Sequence, residues 1–196
     1  PDGRWLAAGT TSGAICLWAA ESHEERPQLL GHCDRVSCLG FSPDGSLLGS
    51  GSWDETARVW DLSTGRLEAE MTMQGRVGDL EFGPDGRRLL VGSYAWRARI
   101  LDIEDQRQTV LETESSVQQV AFAAAGSRVV TVARGGVARL WDAESGAELK
   151  LLGRPLVDVN RFAVSPDGNV IAAGTQGGSL ELWDARSGNP IGILGG

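Results

Sequence analysis

The chain has 196 residues, a formal net charge of −8 and a composition that is 41% hydrophobic and 22% charged, enough length and apolar content for a substantial core. The acidic balance disfavours nonspecific binding to nucleic acid or an anionic membrane, because both need clustered Lys and Arg, and no run of about 18 apolar residues offers a transmembrane helix. Cys16, Cys33 and Cys38 cannot all pair, so reduced thiols and a cytoplasmic location are the simpler expectation. No leader pattern opens the sequence, and the missing initiator Met suggests a processed or excerpted chain.

The first elements set a rhythm that the rest repeats. "PDG" stands at residue 1 and returns at 43, 84 and 166, with "AAG" (Ala124 to Gly126) on the missing beat. Trp18, Trp60, Leu101, Trp141 and Trp183 follow in the same steps of 42, 41, 40 and 42 residues. Two independent markers that keep one period make a repeat architecture. The first unit opens at its turn and so lacks one strand. The second unit, from Val36 to Met71, shows the full plan. "VSCLGFS" is an apolar β-rich run, and "SPDG" is a type I turn with Pro at its second position. "SLLGSGS" is a second run, with small residues that suit a crowded strand buried between sheets. "WDET" is a turn, "ARVWD" a third run and "LSTG" another turn. "RLEAEM" is a fourth, more polar run, as an outer edge strand should be. No window of 11 or more residues carries a helical period.

Four-stranded units of this length cannot bury their faces alone and must stack on one another. "GHCDRVSCLGFSPDGSLLGSGSWDETARVWD" resembles the WD40 repeat, with its Gly-His start and Trp-Asp end. The resemblance runs through essentially the whole chain, although "RILD", "LWAA" and "AFAAAG" depart from the motif in other units. It implies an all-β fold: a WD40-type β-propeller of about five four-stranded antiparallel blades, the first lacking its inner strand. The expected blades are approximately 1–31, 32–73, 74–113, 114–153 and 154–196, in a single repeat domain over 1–196. Family propellers commonly have more blades, so an excerpt of a longer propeller is expected. An open arc that closes by self-association is the second expectation.

By the same resemblance, His32, Ser50, Asp54 and Trp60 match a hydrogen-bonded tetrad of structural role. A Ser-His-Asp set also invites a nucleophilic triad, but the order and spacing fit the tetrad, and Ser50 would be buried in a strand with no G-x-S-x-G elbow. No other unit has the full set; Arg76, Ser115 and Arg154 stand near where His would be. His32, Cys33 and Cys38 offer at most three metal ligands, and His32 already has a use. There is no phosphate-binding glycine motif and no pair of acids at one site. No catalytic residue, cofactor or metal is therefore expected.

In a propeller, the loops before each first strand and between second and third strands share one face, which in WD40 proteins is the usual protein-binding face. Arg35, Trp53, Glu55, Arg76, Tyr94, Trp96, Arg97, Arg134 and Arg154 occupy those positions. Trp, Tyr and Arg are the residue types enriched at interface hot spots, and the repeat does not demand Trp53, Tyr94 or Trp96. Asp79, Gln119 and Arg161 share one register position on the inner strands, near the channel mouth, where they could read a partner's polar groups or simply be solvated. The expected function is a non-catalytic scaffold that binds a protein or peptide through this face, with an acidic or phosphorylated partner suited to its arginines. The alternative is a regulatory or sensor propeller fused to an effector enzyme domain absent from this chain.

Overall fold

The computed structural model describes residues 1–152, 159–175 and 177–195, with the side chain of Asn160 left aside. Arg154 lies outside the described residues. Within them the chain is all β-strand apart from one 3-10 turn at Ala124–Gly126. Five antiparallel sheets follow one another along the sequence. The first has three strands: β1 (Trp5–Gly9), β2 (Ile15–Ala19) and β3 (Glu25–Leu29). The second contains β4 (Val36–Phe41), β5 (Leu47–Ser52), β6 (Thr56–Asp61) and β7 (Leu67–Thr72). The third contains β8 (Val77–Phe82), β9 (Arg88–Ser93), β10 (Arg97–Asp102) and β11 (Gln108–Glu112). The fourth contains β12 (Val117–Ala123), β13 (Arg128–Ala133), β14 (Val137–Asp142) and β15 (Glu148–Leu152). The fifth contains β16 (Val159–Val164), β17 (Val170–Thr175), β18 (Leu180–Asp184) and β19 (Pro190–Leu194).

The turns explain the repeated motifs. In the "SPDG" turn of the second unit, the Asp44 carboxylate accepts from the Ser42 hydroxyl at 2.6 Å and the Ser46 N–H at 3.0 Å, which holds its pKa at about 2. The Asp that ends each third strand does the same work at the next turn. Asp61 accepts from the Thr64 N–H at 2.7 Å, Asp142 from the Ser145 N–H at 3.0 Å and Asp184 from the Ser187 N–H at 2.8 Å. Asp102, in the unit that lost its Trp, still accepts from the Glu104 and Asp105 N–H groups, each at 3.1 Å. Side-chain acceptors of this kind close turns that the backbone alone leaves half-satisfied.

The core lies in layers between successive sheets. Side chains alternate across a strand, so each middle sheet feeds two layers. Leu48 and Trp60 pack with Ile15 and Leu17 of the first sheet, whereas Ala57 and Val59 pack with Val77, Leu80 and Leu89 of the third. The later layers repeat this, with Ile100 against Val117 and Leu140 against Ile171. β4, β8, β12 and β16 are the inner strands; β8, β12 and β16 each pack on the inner and second strands of the preceding sheet, and β4 packs on β1. Among the described residues, the first and last sheets share no comparable interface.

Side chains of one inner strand also bind the backbone of the next. The Asp79 carboxylate accepts the Val120 N–H at 3.0 Å, Glu81 accepts the Phe122 N–H at 2.8 Å, and the Gln119 amide oxygen accepts the Phe162 N–H at 3.4 Å. The Ser37 hydroxyl donates to the Val77 carbonyl at 2.7 Å.

The small residues of the second strands set the spacing between sheets. A Cβ on Gly9 would meet Val36 at 2.6 Å, one on Gly51 would meet Val77 at 2.3 Å, and one on Gly92 would meet Val117 at 2.8 Å. At the same register a Cβ on Gly174, in the last sheet, would meet no heavy atom within 4 Å among the described residues beyond its chain neighbours. Gly51→Ala is therefore expected to destabilise the fold by about 1–3 kcal/mol through overpacking, and Gly174→Ala by less than about 0.5 kcal/mol. Chemical denaturation of the two variants measures the difference.

Candidate functional site

Two polar systems meet at the loop end of the second sheet. The buried one is the tetrad. His32 lies in the loop before β4, Ser50 on β5, Asp54 in the β5–β6 turn and Trp60 on β6. The His32 Nδ1–H donates to Asp54 at 2.9 Å, the Ser50 hydroxyl donates to His32 Nε2 at 2.8 Å, and the Trp60 indole N–H donates to Ser50 at 2.8 Å. This chain of donors requires neutral His32 in its Nδ1–H tautomer. Burial lowers the His32 pKa against the pull of Asp54, consistent with that state. Burial alone would raise Asp54, but the Cys33 N–H, the Thr56 hydroxyl and His32 together outweigh it and hold the carboxyl at about 2. Each polar atom is bonded and Ser50 is fully buried, so no attacking hydroxyl faces a substrate.

The other units keep only fragments of this network. The position four residues before the inner strand, where His32 stands, holds Met73 in the third unit and Thr113 in the fourth, rather than Arg76 or Ser115. Met73 is fully buried and fills the same place with apolar volume. In the fourth unit the Trp141 indole N–H still finds a hydroxyl, that of Thr131, at 2.9 Å.

The exposed system is the loop face. Trp53 is half-buried, and the guanidinium carbons of Arg35 and Arg76 stand 5.1 Å and 4.3 Å from its ring centre. The Trp53 N–H donates to the Arg35 carbonyl at 2.9 Å, and the Tyr94 N–H donates to the Arg76 carbonyl at 2.9 Å. Trp53 thus clasps its own loop and the next sheet's loop through cation–π contacts. Arg97 is engaged within its blade, with Nε on Glu112 at 3.0 Å and a terminal nitrogen on Gln74 at 2.7 Å. Arg35, Arg76, Arg134 and Arg161 are exposed and make no ion pair among the described residues. Asp79 and Gln119, as described above, are held by the backbone of the next inner strand, so their polar atoms are only partly turned to the mouth.

Tyr94 and Trp96 remain open, 45% and 62% exposed. A Cβ on Gly78 would lie 2.9 Å from the Tyr94 ring, so that glycine makes the space in which the ring sits. Tyr94, Trp96, Ser115, Ser116, Gln118 and Arg134 line a shallow depression of about 610 Å³. Tyr94 and Gln118 also border a second, more polar one of about 300 Å³ with Asp79, Gln119 and Arg161. Sequence reasoning missed Ser116 and Gln118; the signal was a polar residue directly after the first inner-strand valine, where the third unit has Gly78.

Trp96 stands at a strained position. Its φ is 65°, and the equivalent turn residues are Gly13, Gly136 and Gly178 at 90°, 74° and 80°, and Glu55 at 69°. Three units answer the left-handed backbone with glycine, as steric strain requires. The third answers it with a large aromatic side chain in solvent, an arrangement associated with function rather than with folding.

Among the described residues, no group of three or more His, Cys, Asp or Glu could hold a metal ion, and no helix is long and apolar enough to cross a membrane.

The tetrad gives a prediction. His32→Ala is expected to cost about 1–3 kcal/mol, because buried partners lose their bonds. In the intact protein the folded chain resists protonating His32, so the unfolded chain takes up protons first as pH falls below the ordinary histidine value of 6.5. Asp54, held at about 2 against an ordinary 3.8, adds a second loss below that value. The tetrad's contribution should therefore be full above about pH 6.5 and be lost on acidification; the difference in denaturation midpoint between the intact protein and His32→Ala, which cancels the titration of other groups, should shrink as pH falls below that value.

The family described as "WD domain, G-beta repeat" matches residues 24–61 and 152–184. The Periodic tryptophan protein 2 homolog of Neurospora crassa is 44% identical over 63 residues, 32% of this chain and 7% of that protein. Protein groucho of Drosophila melanogaster is 39% identical over 66 residues, 34% of this chain and 9% of that protein. Apoptotic protease-activating factor 1 of Danio rerio is 41% identical over 61 residues, 31% of this chain and 5% of that protein. The matched stretches thus span less than a tenth of each of these relatives. The chain thus carries WD40 repeats at two regions, and its five successive antiparallel sheets, built on one plan, are consistent with WD40 propeller blades.

Proposed function

We propose that the chain is a non-catalytic recognition module whose loop face binds a segment of another protein, with acidic or phosphorylated side chains seated against its arginines. WD40 repeats are in general protein-interaction scaffolds, and fold alone does not choose the partner. The observation that carries the reading is Trp96: an exposed indole on a left-handed turn residue where other units have glycine. Beside it, Arg134 borders the same depression. Exposed aromatic and arginine side chains around a depression are what a peptide-binding hot spot needs. Guanidinium groups without carboxylate partners suit carboxylate or phosphate. The absence of a convergent set of titratable groups on this face, among the described residues, favours binding over chemistry.

The test is an array of acidic and phosphoserine peptides alongside their neutral counterparts, probed with the chain and its variants. Preferential capture of the charged peptides is expected, with at least about tenfold weaker capture by Trp96→Ala and by Arg134→Ala. Equal capture of neutral and charged peptides, or unchanged capture by both variants, would sink the proposal. Trp96→Gly should in addition raise the unfolding free energy by about 1 kcal/mol by relieving the turn, so that stability rises as binding falls.

A further inference from the structure

The inner strands place different residues at one position. It is Gly40 on β4, Glu81 on β8, Ala121 on β12 and Ala163 on β16. The repeat asks for a small residue there, and one unit supplies a long carboxylate. Glu81 stands toward the end opposite the loop face, two residues before the turn that opens at Gly83-Pro84. It lines a groove of about 450 Å³ whose other walls include Phe82, Pro84, Phe122, Val164 and Pro166. The walls are more apolar than polar, with Ser165 and Asp167 beside the prolines and Phe side chains, and are drawn from four successive units, Pro43 coming from the second.

The carboxylate is half-satisfied. One oxygen accepts the Phe122 N–H, and the other has no hydrogen-bond partner among the described residues. Burial pushes its pKa up to about 7, against the pull of the Phe122 N–H, and the charge of Asp79 adds to the rise. No cation balances it. Arg88 lies 5.1 Å from the Phe122 ring centre but is paired with Asp85 at 2.7 Å. Asp167, on the rim, is held ionised by the Ser165 hydroxyl and by Asn169. A carboxylate kept in an apolar groove without a counter-ion is costly, and a unit that could have used alanine has kept it.

We infer that this groove is a second binding site, separate from the loop face, which takes a basic side chain (arginine or lysine) of a partner polypeptide. The aliphatic stem would lie along Pro84, Val164 and Pro166, and the cationic head would meet the free oxygen of Glu81. An anion would meet Glu81 and Asp167, and a neutral side chain would leave Glu81 unpaired.

The probes are capped Gly-Gly-Xaa-Gly-Gly peptides with Arg, Lys or norleucine in the centre, together with butylguanidinium. The readout is the Phe122 backbone amide shift during titration of the intact chain. Saturable shifts with the Arg or Lys peptide, weak or absent with norleucine, are expected. Glu81→Gln keeps an acceptor for the Phe122 N–H, and Glu81→Ala reverts to the residue found in two other inner strands, so both variants should fold. Both should bind at least about tenfold more weakly, the size of one lost ion pair in a shielded site. Binding that is equal for norleucine, unchanged in both Glu81 variants, or absent for every peptide would overturn the inference. Butylguanidinium binding as tightly as the Arg peptide would overturn its polypeptide part. None of these outcomes bears on the loop face.

Discussion

Val36, Val77 and Val117 can pack where they do because Gly9, Gly51 and Gly92 present no side chain opposite them. A four-stranded sheet with two apolar faces is not stable by itself, and this close approach is what lets each sheet bury a face on the next. The rest follows from it. Alternation sends Trp60 and Leu48 to one layer and Ala57 and Val59 to the other. The turns are closed by their own Asp and Ser or Thr side chains, and the residue after each third-strand Asp (Leu62, Ala143, Ala185) reaches back into the core. The tetrad sits where these two regimes meet, fixing one turn to one loop in the second unit, while the third unit does without it by burying Met73.

Freed from packing, the loop face is where the sequence diverges between units. The same turn residue is glycine, glutamate or tryptophan, and the change costs nothing elsewhere in the blade. The face is more cationic than the net charge of −8 suggests, because much of the acid is sequestered in turns at the opposite end, at Asp44, Asp61, Asp142, Asp167 and Asp184. Local charge and total charge therefore differ, and it is the local field that a molecule approaching this face meets.

Much of this was legible in the sequence. Strand order, turn positions, the three strands of the first sheet and the four members of the tetrad were readable because each is fixed by spacing within one unit. What stayed hidden crosses between units. Trp53 reads as a bare aromatic until Arg76, from the next unit's loop, is seen against its ring. Asp79 and Gln119 read as channel-wall polar groups, yet their acceptors serve amides 41 and 43 residues away. Arg97 reads as a surface cation and is held by Glu112 and Gln74. A pattern read along one strand has no access to such pairs. Glu81 was within reach, since Gly40, Ala121 and Ala163 mark its position as small, but that comparison needs the inner strands aligned with their shared irregularity after the first valine.

The bonds from Asp79 and Glu81 to the amides of β12 have a consequence for behaviour outside the folded state's own energetics. An inner strand has one side with no β-partner, and an unpaired row of amides is a template on which another chain can add a strand. At Val120 and Phe122 that template is already occupied by carboxyl groups fixed to the neighbouring sheet, which leaves those two N–H groups nothing to offer the carbonyl oxygens of an incoming strand. The innermost strand of the fourth sheet is thereby made a poor seed for aggregation, by two side chains that the sheet itself does not own.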